Sequence, residues 1–215
     1  MKQEKFLDKL LDKKLFIFDF DGTIADTVST EFEIYSVVLA RLGKKMKKSL
    51  WKKLLESHTA EGYLNLTNEI FDLSIKYDEF VDMYADAIRY VERKYPPILF
   101  GWVKPFLAQS PNVSKIILSN KDGNIIKENL ASLGILNHFV DIFSCTTLHT
   151  TKEELYPQVL KKYQLSAVDC VLFEDTQRYI DAGKNIGFNT VGVIHKNNKK
   201  SGLLADFLIK AKVGE

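Results

Sequence analysis

Short apolar runs rich in β-branched and aromatic residues recur along the chain: LFIFDF from Leu15, KIILSN from Lys115, FVDIFS from Phe139, CVLFED from Cys170 and TVGVI from Thr190. Their apolar residues fall at consecutive positions, which predicts strands buried on both faces, as in a parallel sheet. Between the later runs, GNIIKENLASLGI, KEELYPQVLKKYQL and YIDAGKNIGF place apolar residues at helical spacing. Strand and helix therefore alternate. This rhythm predicts an α/β fold, a doubly wound parallel sheet of Rossmann-like type with helices on both faces.

One interval departs from the rhythm. About ninety residues separate the first two runs, far more than the usual crossover of a dozen or so. Residues 27–95 hold no strand-like run, whereas TEFEIYSVVLARLG, KSLWKKLLESH, EGYLNLTNEIFDLSI and YDEFVDMYADAIRYVERKY all carry apolar residues three and four apart. A small helical domain is expected here, inserted after the first strand. Pro96 and Pro97 block helix continuation and mark the return. The expected division is a core of residues 1–25 and 97–215 and a helical domain of residues 26–96.

With 215 residues, 46% of them hydrophobic, the chain can bury a sizeable core, and its net charge of +2 points to no polyanionic partner. The charged N-terminal segment MKQEKFLDKLLDKK is unlike a signal peptide, and no apolar run is long enough to span a bilayer, so a cytoplasmic protein is expected. Cys145 and Cys170 form no CxxC pair and sit in or beside apolar runs, as buried free thiols do.

Candidate chemistry gathers where the strands end. In a parallel sheet the ligand site lies beyond the carboxyl ends of the strands, near the switch point of the topology. The first run ends in Asp19 and Asp21, the second in Ser119 and Asn120, the fourth in Glu174 and Asp175, and Lys152 opens the helix before the fourth. Several carboxylates at one edge repel one another unless a cation neutralises them, and an oxygen-only set suits Mg²⁺ better than zinc. A hard cation beside a lysine and a hydroxyl makes a cradle for a phosphoryl group, so a phosphate ester is the expected ligand.

The succession DFDGT, ILSNKDG, a lysine at a helix start, then LFEDT followed by AGKNIGFNTVGV resembles, in order and spacing, the four motifs of the haloacid dehalogenase superfamily. The helical insertion directly after the first motif resembles the first-type cap of its phosphoglycolate phosphatase and β-phosphoglucomutase relatives. The resemblance implies that Asp19 attacks phosphorus to form an aspartyl phosphate and also ligates Mg²⁺, and that Asp21 is general acid and then base, its carbonyl touching the metal. It implies Ser119 and the Asn120 N–H as phosphate donors, Lys152 as partner of both phosphate and Asp19, and Asp175 with Glu174 as metal ligands.

Other readings of single residues stand beside these. TTKEE could be a capping box of Thr151 with Glu154 in which Lys152 faces water, leaving Lys121 as the phosphate lysine. Asp26 reads as a local cap or turn residue, and His149 and His195 as loop histidines outside the site. Tyr179 departs from the family, whose relatives often carry glycine there. The six lysines of KKMKKSLWKK, residues 44–53, read as the solvated face of a helix that buries Met46, Leu50, Leu54 and Trp51. The stretch SHTAEGY, residues 57–63, reads as a substrate-selecting loop.

The function expected is a Mg²⁺-dependent phosphomonoesterase acting on a small phosphorylated metabolite, with neither nucleic acid nor membrane as partner; a monomer would suffice. A phosphosugar mutase is the alternative, weakened because Glu31 stands where such relatives tend to carry a histidine. A catalytically idle binding protein is the third reading; it predicts loss of a motif residue, and none is missing.

Overall fold

A computed structural model describes Leu10 and residues 12–54, 59–199 and 202–213. It divides into two compact units, one holding the chain up to Val28 and from Pro97 onward, the other Ser29–Pro96.

The first unit begins with β1, Leu15–Phe18, and continues through a two-residue strand β2, Ala25–Asp26. The second unit follows with α1, Glu31–Arg41, α2, Lys48–Leu54, α3, Ala60–Phe71, and α4, Tyr77–Lys94. The chain then re-enters the first unit at β3, Ile98–Leu99, which pairs antiparallel with β2. After it come α5, Val103–Gln109, β4, Ser114–Ser119, α6, Gly123–Ser132, and β5, Asp141–Ser144. The remainder is α7, Cys145–Leu148, α8, Lys152–Tyr163, β6, Cys170–Glu174, α9, Gln177–Ile186, β7, Asn189–Ile194, and β8, Phe207–Lys210.

Six strands form a parallel sheet in the order β5-β4-β1-β6-β7-β8. The expected parallel α/β sheet is thus present. The chain builds outward from β1 through β4 to β5, then returns to the other side of β1 with β6. The switch point is therefore the carboxyl end of β1, flanked by the ends of β4 and β6.

Alternation along β1 explains why that strand is apolar throughout. Phe16 and Phe18 face a core layer with Phe106, Leu107, Ile126, Leu130 and Phe173. Leu15 and Ile17 face the opposite layer, with Leu155, Tyr156, Val159 and Leu172. Phe18 stacks on Phe173 of the neighbouring strand with centroids 4.3 Å apart. Burying such a ring contributes roughly 1.5–3 kcal/mol, so β1 is anchored on both sides up to the residue before Asp19.

In the second unit α1 and α4 pack together and α3 lies against α4. Tyr35 is fully buried there, within 4.7 Å of the Tyr63 ring and 5.5 Å of the Tyr84 ring, centroid to centroid. Leu50 and Leu54 of α2 are buried and Lys52 and Lys53 exposed, so this lysine-rich helix presents a solvated face. No helix among the described residues is long and apolar enough to cross a membrane.

Candidate active site

The register of the sheet brings the polar residues together. Phe18 lies beside Phe173 in the β1–β6 pair, so Asp19 and Glu174 emerge next to each other; the Asp19 N–H donates to the Phe173 carbonyl at 3.0 Å. Ser119, the last residue of β4, ends on the other flank of β1 and is buried.

Lys152 arrives from the first turn of α8. Thr151 and Glu154 do form a capping box there, yet the lysine side chain turns inward and is 2% exposed. Its Nζ donates to Asp19 Oδ1 at 2.9 Å and to Glu174 Oε1, and it lies 4.4 Å from the centroid of the Tyr179 ring. Capping and inward placement are thus compatible: the cap fixes the helix start, and the helix start fixes the lysine.

Electrostatics follow from burial. Asp19 is pushed up to about 7 by desolvation, opposed by the Lys152 ammonium and reinforced by Glu174 and Asp21. Burial likewise raises Glu174 and Asp175, with Lys152 and His195 respectively acting against it. Burial alone would lower Lys152, but Asp19 and Glu174 outweigh it and hold the ammonium well above its ordinary value. Three carboxylates around one ammonium leave an excess of buried negative charge.

Asp19, Glu174 and Asp175 each offer an oxygen, and these oxygens lie within 4.8 Å of one another. An oxygen-only donor set with surplus negative charge fits a hard divalent cation. The three acids are not equivalent. Glu174 Oε1 takes Lys152, and its Oε2 accepts the Asp175 and Thr176 N–H groups at 2.8 and 3.2 Å, so Glu174 is committed to orienting its neighbours.

Asp21 stands apart from that cluster. Its Oδ1 accepts from Thr27 Oγ1 at 2.6 Å and from Lys121 Nζ at 3.1 Å. Lys121 therefore serves Asp21, while Lys152 serves Asp19. Asn120 donates through Nδ2 to the Tyr179 hydroxyl at 2.8 Å, and its carbonyl accepts from Thr146 Oγ1 at 2.6 Å, which holds the loop after β4. Asp26 pairs with Lys196 at 3.0 Å, away from the acidic cluster.

Two side chains of this region, Thr27 and Tyr179, had no partner assigned from the sequence, and a third, His195, is a correction: expected as a loop histidine outside the site, it is buried against Asp175. Thr27 holds Asp21, and its signal was only a threonine directly after β2. Tyr179 fills the space beside Lys152; its departure from the family pattern was visible, its partners were not. His195 contacts Asp175 at 2.8 Å from a loop twenty residues on, a pairing no local spacing announces. His149, at φ 50°, sits in the turn after α7. Of residues 57–63, Ser57 and His58 lie outside the described residues; Thr59 caps α3, accepting from the Gly62 N–H at 3.1 Å.

The sequence matches the haloacid dehalogenase-like hydrolase family over residues 16–193. The chain belongs to this family of hydrolases. YhcW of Bacillus subtilis is 26% identical over 85% of this chain and 84% of its own length. A phosphoglycolate phosphatase of Neisseria gonorrhoeae is 25% identical over 82% of this chain and 78% of its own. The crystal structure of β-phosphoglucomutase from Clostridium difficile shares the fold with a TM-score of 0.72, at 22% identity, over 93% of this chain and 91% of that one.

Proposed function

We propose that this hydrolase is a Mg²⁺-dependent phosphomonoesterase that acts on a small phosphorylated metabolite in the cytoplasm by way of an aspartyl phosphate on Asp19. The observation that carries the reading is the buried Lys152 ammonium shared between Asp19 and Glu174 beside Asp175. A lysine so held neutralises the charge that a phosphate ester brings to a carboxylate nucleophile.

In the first step an Asp19 carboxylate oxygen attacks phosphorus, and the bond from phosphorus to the alcohol oxygen breaks. Asp21 gives its proton to the departing alkoxide, so alcohol leaves and Asp21 becomes a carboxylate. In the second step that carboxylate takes a proton from water as the water oxygen attacks the aspartyl phosphate, which releases phosphate and restores Asp19. Ser119 and the Asn120 N–H donate to the transferring oxygens, and Lys152 stays paired with Asp19 throughout. Thr27 and Lys121 hold the Asp21 carboxyl in one orientation for both transfers. Asp19, the Asp21 carbonyl and Asp175 would hold Mg²⁺, Glu174 acting on them from behind; when bound, the ion supplies Lewis acidity and a template for phosphate.

The helical unit Ser29–Pro96, inserted just after the first motif, is read as the cap that selects the leaving group. Relatives named phosphoglycolate phosphatase and phosphorylated carbohydrates phosphatase support small anionic metabolites as the substrate class. Hydrolysis of an aryl phosphate and of a panel of phosphorylated metabolites with Mg²⁺, for the natural chain and Asp19→Asn, tests the reading. Turnover that depends on both Mg²⁺ and Asp19 is expected. Turnover that survives Asp19→Asn, or none on any phosphate ester, would overturn it.

A further inference from the structure

His195 directly follows the last residue of β7, and it is 4% exposed. Its ring lies against Phe100, centroids 6.0 Å and planes 23° apart. Two contacts determine its tautomer. The Asn197 N–H donates to Nδ1 at 3.3 Å, so Nδ1 carries a lone pair. Nε2, 2.8 Å from Asp175 Oδ2, then carries the proton and donates it.

The surroundings leave little freedom in this contact. Asn198 accepts from the His195 N–H at 2.8 Å and donates to the Asp175 and Val193 carbonyls, each at 2.9 Å. One asparagine side chain therefore ties the backbone of β7's end to the backbone of Asp175. Gly22 closes the third side with φ 73°; a methyl group there would lie 2.9 Å from Asp175 Cγ and 3.0 Å from His195 Nε2. Two chain segments converge on one carboxylate, and the one after β7 supplies a side-chain N–H to Oδ2.

We propose that His195 is the positioning residue of the cation site: its Nε2–H fixes the rotation of the Asp175 carboxylate. Oδ2 is committed to His195, and Oδ1 accepts the Thr176 hydroxyl at 3.2 Å. The remaining lone pairs are held in one orientation relative to Asp19. Without His195 the carboxylate rotates, and the donor set must be ordered at the moment of binding. This inference rests on Asp175 being a metal ligand, and its test separates the two claims.

Calorimetric titration of the full chain with Mg²⁺ alone, without substrate, compares the natural protein with Asp175→Asn, His195→Phe, His195→Gln and His195→Asn. His195→Phe keeps a ring against Phe100 and removes the N–H, so it should bind Mg²⁺ about 10–100-fold more weakly. The Gln amide nitrogen reaches the place of Nε2 and should restore most of the affinity; the Asn amide reaches only the place of Nδ1 and should not. Melting temperatures without metal show whether each variant folds. Where His195→Phe does not fold, the Gln and Asn pair decides. Asp175→Asn that weakens binding while His195→Phe does not, or Gln and Asn variants weakened equally, would overturn the role of His195. No binding by the natural chain, or none lost in Asp175→Asn, would overturn the metal site itself.

Discussion

The acidic site and the centre of the helical unit bury their polar atoms in opposite ways. In the α/β unit, Asp19, Lys152, Glu174 and His195 are buried together, each matched by a charged or hydrogen-bonding partner. In the helical unit the central buried group is Tyr35, ringed by Tyr63, Tyr84 and Trp51, and its hydroxyl has no hydrogen-bond partner among the described residues. A buried polar atom with partners is built in; one without is merely tolerated, at about 1–3 kcal/mol. Removing a polar group should therefore have opposite signs at these two places.

The strongest break in the comparison is Lys152→Met. Two buried carboxylates lose their shared cation, and stability should fall by about 3–5 kcal/mol at pH 8, with turnover lost. The loss should shrink at pH 5.5, because Asp19 and Glu174 then take up protons and no longer need the ammonium. Denaturant unfolding at both pH values measures this, and an equal loss at both would contradict it.

Next in size is Gly22→Ala. Left-handed backbone costs an alanine about 1–2 kcal/mol. The added methyl also displaces Asp175, so Mg²⁺ affinity should fall more than the melting temperature suggests. Unchanged Mg²⁺ binding would show that Asp175 tolerates displacement.

Tyr35→Phe examines the other side. It removes a buried hydroxyl that has no partner among the described residues, so the variant should be as stable as the natural chain or more stable by up to about 1 kcal/mol. A loss of more than that in urea unfolding would mean that the hydroxyl is paired after all.

The smallest effect belongs to Asp206, whose carboxylate accepts from Thr190 N and Oγ1 at 2.8 and 2.9 Å. Burial acts to raise it, but the Thr190 hydrogen bonds and Lys184 prevail and hold it below the usual carboxylate range. A lowered acid stabilises above its unfolded value and loses that contribution as pH falls through its folded one. Asp206→Asn should thus cost under about 1 kcal/mol at pH 7 and progressively less as pH falls below the ordinary carboxylate range, measured by unfolding.

Much of this was legible in advance because it rests on patterns of two kinds. Strands buried on both faces announce themselves by consecutive apolar residues, and all five such runs are strands of the sheet. Both edge strands, β5 and β8, are only partly buried; β8 escaped because Leu208 is largely exposed and FLIK alone has too little contrast. α5 escaped in the same way, seven residues around a proline, too short for a period to show. At the site, residues at strand ends could be read by position, since topology alone brings them to one edge. Thr27, Tyr179 and His195 could not. Their roles depend on side-chain reach between segments, and spacing along the chain carries no record of that.

The antiparallel pairing of β2 with β3 joins the point where the chain leaves the α/β unit to the point where it returns. Its consequence concerns folding order. Closing a loop of the length of Ser29–Pro96 as flexible chain costs about 3–4 kcal/mol of entropy before β4 can align beside β1. If the inserted helices collapse first, their two ends are already neighbours and the ribbon closes as a short hairpin would. An insertion whose ends lie side by side can then be exchanged for another of different length without disturbing the register of the central strands. Asp19, at the end of β1, is spared the history of what is attached beyond it.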